Sequence, residues 1–150
     1  MQYWLMKSEP DVFSIDDLQR VTIEPWNGGR NYQARNMLRD QMQIGDQVFF
    51  YHSNCSVPGI VGIAEVASQG YPDPTALEPE SPYYDPKSTA DKPRWYQVDV
   101  RFIRKLPQPI SLTQLRQQAV LLDFCLLRKG NRLSVMPVQP QEWEFILALV

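Results

Sequence analysis

The sequence predicts a single α+β domain, a small mixed β-barrel with short helices inserted between its strands. Three observations point there. At 150 residues the chain most simply forms one domain with a substantial core. Apolar runs of strand length alternate with short helical patterns that begin at capping signals. The 13 prolines favour rigid loops and turns over long helices.

Each element follows from local chemistry. QYWLMK (2–7) reads as a first strand, ended by Pro10. Ser14 and Asp17 form a capping box for a short helix. WNGGR (26–30) is a glycine turn, and NYQARNMLRDQM (31–42) a helix that buries Ala34, Met37 and Leu38 and aligns Arg35 with Arg39 four residues on. After a Gly45-Asp46 turn, QVFFYHS (47–53) and IVGIAEVA (60–67) read as strands. In RWYQVDVRFIRK (94–105), Tyr96, Val98, Val100 and Phe102 alternate with Gln97, Asp99 and Arg101, the period of a half-buried antiparallel strand. Ser111 with Gln114 predicts a second capping box before LTQLRQQ. Residues 133–138 read as a closing strand, and 139–150 as a last helix with Trp143, Ile146 and Leu147 on its apolar stripe.

Residues 71–93 do not fit this economy. They are too long for a routine connection, yet three tyrosines and many prolines supply surface to bury and stiffness. We read them as an ordered flap; the alternative is a flexible acidic insertion.

The bulk numbers exclude several classes. A net charge of −2 gives no overall positive field towards nucleic acid, so any such contact must be local. Two cysteines and one histidine are too few for a disulfide scaffold and a poor supply for structural zinc. No cofactor is expected. No 18-residue apolar stretch exists, and the first residues lack a basic region followed by an apolar run. A cytosolic protein, monomeric by default, is the expectation.

The residues that bear on function cluster in four places. His52 lies three positions before Cys55, but no helix follows to activate a thiolate. The group Tyr51, His52, Ser53 and Asn54 instead concentrates hydrogen-bonding side chains at a strand end, which suits recognition of a base edge. Trp26 stands before Gly28 and Gly29, which permit close backbone approach to a ligand, and before Arg30, Asn31 and Tyr32. It reads either as a stacking platform or as a core plug. Lys7 with Glu9 is the one plausible enzymatic dyad, a buried lysine beside a carboxylate; an ordinary solvated lysine is the alternative. RFIRK (101–105) and RKGNR (128–132), with Arg30, Arg35 and Arg39, read as a basic rim for phosphate contacts or as ordinary solvated surface.

Taken together, YWLMKSEP, GGRNYQARNML, GDQVFFYHSN, PGIVGIAEV, YPDPTA, YYDPKS, PRWYQVDV and LLRKGNRLSVMPV resemble the EVE domain family, from about Tyr3 to the C-terminus. The resemblance implies a PUA-like fold, a twisted mixed β-barrel with short peripheral helices, over residues 1–150. It also implies a non-enzymatic reader of a modified nucleobase in DNA or RNA. Carried onto this chain, the pocket comprises Lys7, Ser8, Trp26, Arg30, Asn31 and Tyr32, closed by His52, Ser53 and Asn54, with Tyr51 beside them. Arg35, Arg39, Arg128, Lys129 and Arg132 are the expected backbone contacts. The family often has Gly-Val-Arg-Asn where this chain has Gly28-Gly29-Arg30-Asn31, which implies a looser turn and a larger pocket. Related PUA-like ASCH proteins imply the alternative of a small hydrolase using Lys7 and Glu9. A protein-interaction module built on the proline-rich flap is a third reading.

Overall fold

In β1 (Tyr3–Ser8) Trp4, Leu5 and Met6 are all buried, a run that a strand covered on both faces requires. The computed structural model, which describes residues 1–28 and 30–150, places β1 inside a six-stranded sheet. Its neighbours are β3 (Gln47–His52), parallel to it, and β8 (Val135–Val138), antiparallel. The remaining strands are β2 (Ile23–Pro25), β4 (Gly59–Val66) and β7 (Asp99–Ser111), giving the order β2-β7-β4-β3-β1-β8. The sheet is mixed and curls into a half-barrel, the class the sequence predicts.

Alternate side chains feed two cores. Trp4, Met6, Phe50 and Val100 enter one cluster, and Leu5, Phe49 and Tyr51 the other. Asp46 fixes the entry to β1: its buried carboxylate accepts from Gln2 N, Gln43 N and Trp4 Nε1 at 3.0–3.1 Å.

The helices follow their caps. In α1 (Ile15–Val21) the predicted box is complete: Ser14 Oγ accepts from Asp17 N, and Asp17 Oδ2 from Ser14 N. The predicted 31–42 helix is α2 (Tyr32–Asn36) followed by a π-helical turn over Met37–Gln41, and Ala34, Met37 and Leu38 are buried as expected. At α3 (Leu112–Arg116) Ser111 Oγ accepts from Gln114 N. In α4 (Pro140–Leu147) Trp143 and Ile146 are buried, and the indole stacks on Phe49 at 3.8 Å between centroids.

The predicted 94–105 strand needs two corrections. It is divided between β6 (Tyr96–Gln97), which pairs with β5 (Tyr71–Pro72) as a separate ribbon, and β7. Gln97, expected to face solvent, is 2% exposed, and among the described residues its buried Oε1 has no hydrogen-bond partner. The second correction is length, because β7 continues to Ser111 through Pro107 and Pro109. Its pairing with β4 jumps from Gly62↔Lys105 to Ile60↔Ile110. The prolines therefore sit in a bulge, where no ladder N–H is needed.

Residues 71–93 form an ordered flap. After β5 come a 3₁₀ turn over Pro74–Leu77 and a chain of tight turns. Among the described residues, no helix is long and apolar enough to cross a membrane.

Candidate functional site

A cleft of about 760 Å³ opens where the end of β1, the segment after β2 and the segment before β8 meet. Non-local pairing assembles it: Lys7 N donates to Ser134 O, Ser53 N to Ser8 O, and Trp26 N to Val98 O. Of the predicted ligand residues, Lys7, Ser8, Trp26 and Ser53 line this cleft, as does Glu9.

Trp26 belongs both to the core and to the cleft lining. Its indole packs edge-on against Phe50, with centroids 5.5 Å apart, and still faces the cleft. Lys7 Nζ lies 5.9 Å from the centroid of the Tyr51 ring, and burial holds its pKa below the ordinary lysine value. Glu9 does not pair with it; the Glu9 carboxylate accepts from Asn54 Nδ2 at 3.0 Å. Ser8 Oγ donates to Phe13 O.

The other predicted ligand residues lie outside the cleft lining. His52 Nε2 accepts from Ile15 N at 3.1 Å, tying β3 to the start of α1. The imidazole is therefore neutral with its proton on Nδ1, and burial lowers its pKa. Tyr51 is 3% exposed in the second core, where burial raises its pKa. Asn54 sits at φ 52° and reaches Glu9. Asn31 caps α2, its Oδ1 accepting from Ala34 N at 3.0 Å.

Arg30 and Tyr32 brace the flap. The Arg30 guanidinium lies 5.3 Å from the Trp95 centroid and 5.7 Å from that of Tyr83, and donates to Tyr83 O, Thr75 Oγ1 and Asp73 Oδ2. Tyr32 stacks on Trp95 at 4.8 Å, with the Arg35 guanidinium 4.8 Å from its centroid.

Asp73, which the sequence reading missed, anchors this arrangement. Burial works to raise its pKa, but bonds from Thr75 Oγ1, Gly28 N, Thr75 N and Arg30 outweigh that and hold it below the ordinary carboxylate value. Gly28 lines the cleft at φ +80°, and an added Cβ would stand 2.7 Å from the Tyr83 ring, so the flap packs closely on one side of this glycine. Gly29, and with it the expected enlargement of the pocket, lies outside the described residues.

The predicted basic rim divides in two. Arg39 is held by Asp40 at 2.7 Å, Arg35 donates to Asn36 Oδ1 and Arg94 O, and Arg101 and Lys105 are paired with Glu65 and Asp16. Arg128, Lys129 and Arg132 surround a turn at Gly130 (φ +78°), and Arg132 reaches the cleft lining.

The cleft also contains residues that the sequence reading passed over, among them Phe13, Tyr83, Ser134 and Glu24. Glu24 is half-buried, and burial raises its pKa, opposed by Arg20 and assisted by Asp99. Its only sequence signal was one polar residue between Ile23 and Pro25. That becomes legible only once the pairing of β2 with β7 is known.

Comparison with known proteins agrees with this architecture. The EVE domain matches residues 2–149. Rat thymocyte nuclear protein 1 is 45% identical over 98% of this chain, which spans 73% of that protein; a Schizosaccharomyces pombe protein is 42% identical, with 66% of its length spanned. A Pseudomonas syringae crystal structure is 53% identical with TM-score 0.95, covering 98% of both chains. Human THYN1 protein in complex with 5-methylcytosine containing DNA is 41% identical with TM-score 0.93, covering 99% of this chain and 97% of that one. An ASCH protein from Zymomonas mobilis, 11% identical with TM-score 0.56, shares the fold alone. The chain belongs to the EVE domain family.

Proposed function

We propose that this chain is a non-enzymatic binding module that takes a modified nucleobase of DNA or RNA into the cleft beside Trp26. The observation that carries the reading is the cleft itself. Its volume of about 760 Å³ lies in the range of small-molecule sites. Its lining combines the aromatic rings of Trp26, Phe13 and Tyr83 with polar groups from Lys7, Glu24 and Ser53. That combination supplies a π-face for stacking and hydrogen-bonding groups for a base edge. The human THYN1 structure, solved with 5-methylcytosine containing DNA, supports it.

A stacked base cannot enter such a cleft, so the occupant is flipped out or already unpaired. Arg132 at the rim, with Arg128 and Lys129 on the adjoining turn, supplies the phosphate contacts. Binding to an array of modified oligonucleotides tests the proposal; no binding to any modified strand overturns it. Incubation with modified nucleosides, followed by mass spectrometry, tests the non-enzymatic part. Product formation that disappears in Lys7→Ala would replace the reader with a hydrolase.

A further inference from the structure

We infer that Glu24 selects the base: its carboxyl reads an exocyclic amino group, so the cleft takes amino-bearing bases and rejects those with an oxo group there. This rests on the nucleobase reading above and adds to it the residue that discriminates.

The placement comes from strand geometry. Glu24 is the middle residue of β2, flanked by exposed Ile23 and Pro25, and is itself half-buried. Its register partner is Val100, fully buried in the cluster against which Trp26 packs. Cross-strand partners share a face, so Glu24 points inward with Val100. Trp26 lies two residues further, the same-face interval of extended backbone. Successive same-face side chains stand roughly 7 Å apart. A ring stacked on the indole therefore has the carboxyl as its neighbour along the strand.

The chemistry of the group points the same way. Among the described residues the Glu24 carboxyl accepts no hydrogen bond and forms no ion pair, and nearby Arg20 is bonded to Asp17. A half-buried carboxyl without a partner is unfavourable, and an amino group from the ligand removes that cost. An ionised carboxylate only accepts, so it suits an amino N–H. An oxo group at the same position sets lone pairs against lone pairs.

The test uses one single-stranded oligonucleotide carrying either 5-methylcytosine or thymine at its centre, bases that differ only on this edge. A second pair, adenine against hypoxanthine, separates a pyrimidine from a purine occupant. The wild-type chain is expected to prefer the amino member of at least one pair by about tenfold or more. Glu24→Gln, whose amide both donates and accepts, should reduce that preference to within about threefold without lowering affinity for the oxo member. Trp26→Ala should weaken both members alike. A preference retained in Glu24→Gln, or equal wild-type affinity for both members of each pair, overturns the assignment of Glu24 and leaves the pocket standing. Wild-type failure to bind any strand overturns the pocket and this inference together. A melting temperature for Glu24→Gln within a few degrees of wild type confirms that the variant reports selectivity and not unfolding.

Discussion

His52 shows how one side chain changes meaning once its neighbours are known. In the sequence it sits among hydrogen-bonding residues at a strand end; in the fold its Nε2 takes the first amide of α1. Its pKa is lowered by burial, so below the ordinary value near 6.5 the unfolded chain binds a proton that the folded chain resists. The stability it contributes is present above about pH 6.5 and is lost as pH falls towards the depressed value. Thermal melts between about pH 7.5 and 5, which span the ordinary histidine pKa of about 6.5, should therefore drop more steeply for wild type than for His52→Gln. That variant keeps an acceptor but does not titrate. Removing the acceptor in His52→Ala should cost about 0.5–1.5 kcal/mol at neutral pH. Trp26 packs on Phe50 and lines the cleft, so Trp26→Ala should lower the melting temperature and, on the proposed function, also lose a stacking contribution of roughly 1–3 kcal/mol per base. Trp26→Phe should keep much of the affinity. Equal binding by wild type and Trp26→Ala, measured by fluorescence anisotropy, would remove the indole from the site.

Among the elements, the flap depends most on one ionic centre. Asp73 holds Gly28 N, both donors of Thr75 and the Arg30 guanidinium, and Arg30 in turn lies against Trp95 and Tyr83. Asp73→Ala leaves several of those donors without an acceptor, at a cost on the order of 3 kcal/mol. Limited proteolysis should then cut within 74–93 before the sheet unfolds; uniform resistance across the flap would show that it is held elsewhere. Legibility from sequence divides along the same line. The apolar runs of β1, β3 and β4, and the box at Ser14 and Asp17, are set by residues close together in the chain and were readable. Arg30 and Tyr32 follow Trp26 closely in sequence, which points to ligand contacts, whereas in the fold they brace the flap. Their partners Asp73, Tyr83 and Trp95 lie 43 or more residues further along, and no local pattern announces them. The same holds for Glu24, whose inward orientation is fixed by Val100 across the β2–β7 pair. The course of β7 beyond Lys105 was hidden by prolines that a bulge accommodates.

For the molecule as a whole, a net charge of −2 means that attraction to nucleic acid depends on where cations remain available. Arg39 is engaged by Asp40, whereas Arg132 stands at the cleft. Each phosphate contact contributes about 0.9 to the slope of log affinity against log salt on duplex DNA and about 0.7 on single strands. Arg132→Ala should reduce that slope by close to one such step, and Arg39→Ala should leave it unchanged. Equal slopes for wild type and Arg132→Ala would move the phosphate contacts away from this turn.

The pairing of β1 with β8 has a consequence for synthesis. Lys7 and Ser8 leave the ribosome before residues 132–134, and the wall they share with them is completed only when β8 docks beside β1. Until then one edge of β1 is an open row of backbone donors and acceptors, and the cleft lacks a side. A ribosome stalled before residue 132 therefore displays an unprotected strand edge in place of the finished wall.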